Sequence, residues 1–182
     1  MAVVSRPALK SVALRVVCSA ILVAAVAPVS AEAERPKQSW SERILALHNE
    51  QRAQVGAPPL RWDETLAAAA AAYAPQLARL AGLQHSPRSS RRGQGENLWR
   101  GSAGTFGIEE SIGAWIAERQ LFRAGIFPAV SPSGDGSDVN HYSQMIWPAT
   151  THVGCAAHRS GRWDYLVCRY SPRGNIDGQR VP

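Results

Sequence analysis

The chain has 182 residues, with 20 basic and 14 acidic side chains, a formal net charge of +6 at pH 7 and 45% hydrophobic residues. This length suffices for one domain with a buried core. The charge is too small for the dense basic stripe that nucleic-acid binding requires, so we predict no nucleic-acid partner. The one basic cluster, Arg88, Arg91 and Arg92, is interpreted as a solvated loop, with docking of a polyanion as the alternative.

Residues 1–31 have the pattern of a secretory signal peptide. Three positive residues within 6–15 precede an apolar run over 16–26, and small residues follow at the expected cleavage point, Ala31. A membrane anchor is the alternative, but the run is shorter than the ~20 residues that a spanning helix needs. We therefore predict a secreted protein, extracellular or periplasmic, without stable membrane insertion. Loss of the leader removes three positive charges and lowers the net charge from +6 to +3.

Two helices are predicted after a polar stub over residues 32–39. Ser39 and Glu42 have the spacing of a capping box ahead of apolar residues at helical period, and Gly56 is placed to end this helix. Asp63 can cap a second helix in the alanine-rich segment that follows, because alanine has the highest helix propensity.

The middle of the chain is predicted to contain two loops, a third helix and a strand. Residues 82–105 are rich in glycine, serine and arginine and indicate a long loop that contains the short apolar piece "ENLW". Residues 107–122 place isoleucines and a tryptophan on one helical stripe, which predicts the third helix. A second loop over 124–139 leads to "NHYSQMIW" at 140–147, whose composition predicts a buried strand.

The end of the chain predicts a disulfide-linked hairpin. Cys155 and Cys168 remain after loss of the leader, an even number in an exported chain. A two-residue turn that starts at Gly161 pairs these cysteines, leaves one face apolar and sets Arg159 opposite Asp164. Two free buried thiols are the alternative. With helices first and strands grouped at the end, the pattern predicts an α+β layered fold with an antiparallel sheet.

Four polar residues lie at positions where burial of the side chain would require a hydrogen-bond or ion-pair partner. Glu118 lies at the edge of the buried stripe of the third helix, Glu96 lies beside the apolar pair of "ENLW", and His141 begins an apolar run; His85 is the fourth. These residues could form one metal or catalytic cluster. No "HExxH" or paired-cysteine pattern fixes ligands within one element, so four separately satisfied residues are the alternative.

The order of short motifs along the chain resembles the CAP superfamily of cysteine-rich secretory proteins, venom antigens and plant pathogenesis-related proteins. The motifs run from about residue 40 to the end, over the predicted domain 40–182: "HNEQR", "GAPPLRWDETLA", "QHS", "GENLW", "WIAER", "HYSQMIW", "VGCA" and "YSPRGNIDGQRVP". The resemblance implies a three-layer α-β-α sandwich with a central antiparallel sheet. It also implies a cleft that holds a tetrad of His85, Glu96, Glu118 and His141.

In several relatives the histidines of this tetrad bind zinc or another divalent cation, so the resemblance implies His85 and His141 as metal ligands. Neutral imidazoles suit zinc, and an incomplete protein shell leaves positions for water.

The sequence departs from the family pattern at the rim of the cleft and in the number of disulfides. The segment between His85 and Glu96 is longer and richer in arginine than expected, and only one disulfide is possible. We expect a minimal, monomeric, single-domain member from a bacterium.

Three functions are consistent with the sequence. The first is a secreted binding module whose cleft or adjacent apolar groove takes a lipid, sterol or peptide. The second is a metal-dependent hydrolase of peptides or esters in which Glu96 or Glu118 acts as general base on metal-bound water. In the third, the tetrad is a buried polar network that fixes the fold.

Overall fold

The structure is a computed structural model that describes residues 38–80 and 82–182, so the predicted leader lies outside the described residues. The helices are α1 (Trp40–Gln54), α2 (Glu64–Leu77), α3 (Ile108–Ala117) and α4 (Asn140–Met145). The strands are β1 (Arg61–Trp62), β2 (Gly95–Ser102), β3 (Gly125–Ile126), β4 (His152–Ser160), β5 (Trp163–Ser171) and β6 (Arg180–Val181). None of the helices in these two ranges combines the length and apolarity needed to cross a bilayer.

A four-stranded sheet in the order β1-β4-β5-β2 forms the middle layer, and β3 pairs separately with β6. Strands β4, β5 and β2 are antiparallel, as predicted, while the two-residue β1 adds a parallel edge. Side chains alternate along β5: Leu166 and Cys168 pack with α1 and α3, whereas Tyr165 and Val167 pack with α2. Helices therefore cover both faces, which confirms the α+β sandwich.

The β4–β5 hairpin has the predicted register. Cys155 lies opposite Cys168 and is joined to it by a disulfide, and Arg159 lies opposite Asp164. Gly161 begins the turn with a φ of +56°, a conformation that glycine adopts without a steric penalty.

The predicted helix starts are also confirmed. The Ser39 hydroxyl accepts the Glu42 amide while the Glu42 carboxylate accepts the Ser39 amide, which completes the capping box. Asp63 accepts the amides of Thr65 and Leu66 at the start of α2. Helix α3 is shorter than predicted, because a 3₁₀ turn over Glu118–Gln120 replaces its last part.

Two sequence-based predictions of local structure are wrong. The predicted strand over 140–147 is instead the short helix α4 (Asn140–Met145) followed by a turn. Tyr142 and Ile146 face one core and Met145 faces another, so the segment is apolar on more than one side. The predicted loop 82–105 contains β2, which pairs along its whole length with β5. Both errors have the same cause: a short apolar run does not reveal its own period, and tertiary contacts decide its conformation.

Candidate functional site

The four predicted site residues form two His–Glu pairs that meet at strand β2. This strand is an edge of the sheet formed by the described residues, where it pairs with β5 alone. His85 lies in the loop after α2 and pairs with Glu96 of β2. Glu118 follows α3 and pairs with His141 in the first turn of α4.

The side chain of Glu96 is fully buried and both of its oxygens are engaged. Oε1 accepts from His85 Nδ1 at 2.8 Å and from the Ser86 amide at 2.9 Å, and Oε2 accepts from the Ser86 hydroxyl at 2.9 Å. Burial alone would raise the pKa of Glu96, but the hydrogen bond from His85, the charge of Arg169 and the bonds from Ser86 outweigh it and lower the pKa. Glu96 is therefore an ionised carboxylate that orients His85.

Arg169 supplies the buried positive charge beside this carboxylate. Its Nε lies 3.0 Å from Glu96 Oε2, in an ion pair that is not aligned as a hydrogen bond. Its guanidinium lies over the ring of Tyr73 on α2, 5.6 Å from the centroid. Burial lowers the pKa of Arg169 and the charge of Glu96 opposes that shift. The two charges offset each other beneath His85.

Glu118 binds both the side chain and the backbone at the start of α4. Its Oε1 lies 2.5 Å from His141 Nδ1, and its Oε2 accepts the amides of His141 and Tyr142 at 2.9 Å each. The His141 ring also stacks on Trp115 of α3, with 5.8 Å between centroids and 13° between planes. The imidazole is thus fixed by a carboxylate at one ring nitrogen and by an indole at one face.

A chain of buried hydrogen bonds connects His141 to α1. The Asn97 amide nitrogen donates to the His141 carbonyl at 3.0 Å and to the Tyr170 hydroxyl at 3.2 Å. The Tyr170 hydroxyl lies 2.9 Å from His48 Nε2, and His48 Nδ1 donates to the Ile44 carbonyl at 2.8 Å. Since a carbonyl only accepts, the proton of His48 is on Nδ1 and Tyr170 donates to Nε2. Asn97 and its neighbour Glu96 therefore support the two pairs from opposite faces of β2.

His85, Glu96 and His141 line one cleft of about 450 Å³, whereas Glu118 lies behind His141 and is not part of the cleft wall. Gly95 also lines it, and a side chain there would collide with Gln144, since a Cβ would lie 2.0 Å from its Oε1. Apart from Phe127 and Gly174, the other lining residues are polar or charged: Arg88, Arg91, Gln94, Asn97, Ser137, Asn140, Arg173, Asn175 and Asp177.

The two histidines are arranged as metal-binding histidines usually are. An ionised carboxylate only accepts, so Nδ1–H of His85 and of His141 donates to its glutamate, and in the neutral form of each ring Nε2 then carries the lone pair. Within residues 38–80 and 82–182, no three His, Cys, Asp or Glu side chains are grouped closely enough to hold a metal together. Two imidazoles on one cleft wall are the donors that could hold an ion there, and other ligands would have to complete its shell.

A second cavity of about 390 Å³ lies among aromatic side chains and is called the aromatic pocket here. Trp40 of α1, Trp99 of β2 and Phe106 line it, and the rings of Trp99 and Phe106 meet edge to face at 5.6 Å. The Arg159–Asp164 ion pair lies at its polar rim, with Nε and Oδ1 2.6 Å apart. The residues that complete its wall are Gly107, Ile108, Ser111, Ala157, His158, Tyr165 and Leu166.

Sequence reasoning missed Arg169, Ser86 and Asn97, which hold the two pairs in place. The sequence does contain an indication for Arg169. It is a charged residue between a cysteine and a tyrosine in an apolar strand, so its side chain requires a buried partner. The sequence does not reveal its partner, because the pairing of β2 with β5 that brings Glu96 beside Arg169 is not visible in the local pattern.

Comparison with known proteins identifies the family. The family model of the CAP cysteine-rich secretory proteins matches residues 45–170. The chain belongs to the CAP family. Pathogenesis-related leaf protein 6 of Solanum lycopersicum is 36% identical to this CAP domain over 152 residues, which cover 83% of this chain and 86% of that protein. Pathogenesis-related protein 1B of Nicotiana tabacum is 34% identical over 163 residues, which cover 88% and 89% of the two chains.

Solved structures share the fold. The crystal structure of NaASP2 with Zn²⁺ superposes with a TM-score of 0.62 at 25% identity, over 76% of this chain and 82% of that chain. BmVAL-1 superposes with a TM-score of 0.61 at 23% identity, over 76% and 79% of the two chains. The sandwich described above is thus the CAP fold.

Proposed function

We propose that this CAP domain is an exported, non-catalytic binding module that holds a divalent cation, such as zinc, through His85 and His141. The observation that carries the proposal is the pairing of each imidazole: Nδ1 is fixed on a glutamate, and Nε2 is left as a lone-pair donor on a residue that lines the cleft. NaASP2, which shares the fold, has been crystallised with Zn²⁺. A description of the family as secretory agrees with the predicted signal peptide.

The same contacts favour binding over hydrolysis. A general base needs an oxygen that can take a proton from water at the reaction centre. Both oxygens of Glu96 and both oxygens of Glu118 already accept hydrogen bonds from the protein, and Glu96 is fully buried. The glutamates therefore act as positioning residues for the histidines in this proposal.

The metal proposal is tested by titrating the purified protein with zinc in a calorimeter. We expect one saturable site in the wild type and loss of at least ten-fold in affinity in both His85→Ala and His141→Ala. His152→Ala is the matched control, because His152 lies at the start of β4, outside the cleft, and hydrogen-bonds to Thr151. Equal zinc affinity in the wild type and both cleft variants would refute the proposal.

We further propose that the aromatic pocket takes an apolar chain, such as a fatty acyl chain. An apolar cavity with a few polar groups at its rim is the usual form of a small-molecule site. Phe106 is 46% exposed although it contacts Trp99, so part of an apolar cluster faces solvent at the pocket. Burying that surface under a ligand would be favourable by about 25 cal/mol per Å².

A fluorescent fatty-acid analogue tests the aromatic pocket. We expect saturable binding that Phe106→Ala weakens at least five-fold. Leu121→Ala is the control, since Leu121 is 49% exposed but lies outside the pocket. Equal loss in the two variants would mean that the probe adsorbs to exposed apolar side chains, and the pocket would have no role.

A further inference from the structure

The cleft wall carries an excess of positive charge that the two His–Glu pairs do not explain. Arg88, Arg91 and Arg173 line the cleft, and the acidic residues on its wall are Glu96 and Asp177. Glu96 is buried and its charge is offset by Arg169 beneath it. Arg91 Nε also lies 3.8 Å from Glu96 Oε1, so Asp177 is the acidic residue of the wall that remains to face Arg88 and Arg173.

The three arginines differ in what they contact. Arg91 is a structural residue of its loop: Nε donates to the Ser86 carbonyl at 3.0 Å and Nη1 to the Gln94 carbonyl at 3.3 Å. Arg88 and Arg173 have no carboxylate within 4 Å in the described ranges. Among the residues that the structure describes, neither of these two cleft guanidinium groups thus has its charge paired with a carboxylate.

The backbone holds these two arginines on a defined wall. Arg88 begins the 3₁₀ turn Arg88–Ser90, whose loop is braced by the Arg91 side chain. The Arg173 amide donates to the Gly93 carbonyl at 2.8 Å, which ties the segment after β5 to the other end of the same loop. The two segments that carry Arg88 and Arg173 are therefore joined by a backbone hydrogen bond, and both border the cleft.

We propose that Arg88 and Arg173 form a site for an anionic group, a carboxylate or a phosphate, of the molecule that binds in the cleft. Guanidinium groups present several N–H donors in a geometry that matches carboxylate and phosphate oxygens. The site deepens the proposed function and rests on it, since it assumes that the cleft of a binding module receives a ligand.

Inorganic phosphate is the probe, titrated into the purified protein in a calorimeter at low ionic strength with a chelator present. We expect saturable binding that added sodium chloride weakens, because exposed charges are screened by salt. The double variant R88Q/R173Q should lose at least ten-fold in phosphate affinity. R92Q is the matched control, because Arg92 is an exposed arginine of the same loop that does not line the cleft. The phosphate affinity of R92Q should stay within two-fold of that of the wild type.

Sedimentation with phosphatidylglycerol vesicles, against phosphatidylcholine vesicles, separates a free anion from a lipid headgroup. Vesicle binding that requires both arginines identifies the headgroup as the source, and phosphate binding without vesicle binding identifies a free anion. Absence of both, or equal losses in R92Q and R88Q/R173Q, would overturn the inference. Zinc and fatty-acid titrations of R88Q/R173Q should match the wild type, so failure of the anion site is distinguishable from failure of the binding module.

Discussion

Glu118 joins two functions in one carboxylate, because it orients the His141 ring and accepts the first backbone amides of α4. Glu118→Gln replaces one oxygen by a donor, so one of the three partners must lose its acceptor. We expect a loss of about 1–3 kcal/mol in the free energy of unfolding and a ten- to hundred-fold loss of zinc affinity. Urea unfolding and zinc titration of the same sample measure both effects.

The alternative, in which the tetrad only fixes the fold, makes a different prediction for this variant: lower stability with unchanged zinc affinity. Glu50→Gln serves as the control, since Glu50 is an exposed residue of α1. It removes the same charge without a contact to α4, and neither measurement should change.

At the level of single residues, the sequence identifies polar groups whose burial without a partner would cost free energy, but it does not identify their partners. His141 was recognised because an imidazole at the head of an apolar run needs a hydrogen bond, and Glu118 because it borders a buried stripe. That these two residues share one site was implied by the resemblance to the CAP family, and their direct pairing is a finding of the structure. Spacing along the chain carries no information about contacts between a 3₁₀ turn and a distant helix.

At the level of elements, the β4–β5 hairpin is the part most fully determined by local sequence. Its turn glycine, its facing cysteines and the opposite charges of Arg159 and Asp164 all select one register. The double variant Cys155→Ala/Cys168→Ala should keep this register and lose about 3 kcal/mol of stability, since a short loop is no longer closed in the unfolded chain.

Urea unfolding followed by tryptophan fluorescence measures this loss. Wild-type protein under reducing conditions provides the comparison, because it lacks the bond but keeps both sulfur atoms in the core. If stabilisation comes from the crosslink, the reduced protein and the double variant should be destabilised to a similar extent. A change below about 1 kcal/mol in both would show that the bond contributes little.

Helix α4 and strand β2 show where local sequence is insufficient. The α4 segment has the composition of a strand, but Glu118 accepts its first amides and the segment fits between two cores, so tertiary contacts select the helix. In β2, "ENLW" is too short to show alternation, and pairing with β5 over eight residues defines the strand. Elements with their own caps or turns were predictable, and elements defined by neighbours were not.

At the level of the whole molecule, buried His48 should make stability depend on pH. Burial lowers its pKa from 6.5 to about 4 in the folded protein. Below pH 6.5 the unfolded chain therefore binds a proton that the folded chain does not, so stability is highest above pH 6.5 and falls as the pH decreases toward 4. The loss should reach about 3 kcal/mol.

Urea unfolding at intervals between pH 7.5 and 4 measures this slope. His48→Gln should flatten it, whereas Tyr170→Phe should lower stability at every pH and retain the slope, since His48 stays buried. Glu96 acts in a separate, lower window: its pKa is lowered from 4.5, so its contribution is present above pH 4.5 and is lost on further acidification. An unchanged slope in His48→Gln would assign the pH dependence to other groups.

Strand β2 also determines where the chain tolerates changes in length. Glu96 and Asn97 are neighbours that support the two histidines from opposite faces of the sheet, so inserting or deleting one residue within 95–98 would exchange their sides and dismantle both supports together. The arginine-containing segment over 87–93 precedes the first ladder pair and lies outside this constraint. Variation among related chains should accordingly concentrate there, which would let the rim diversify its ligands while the imidazoles remain in place.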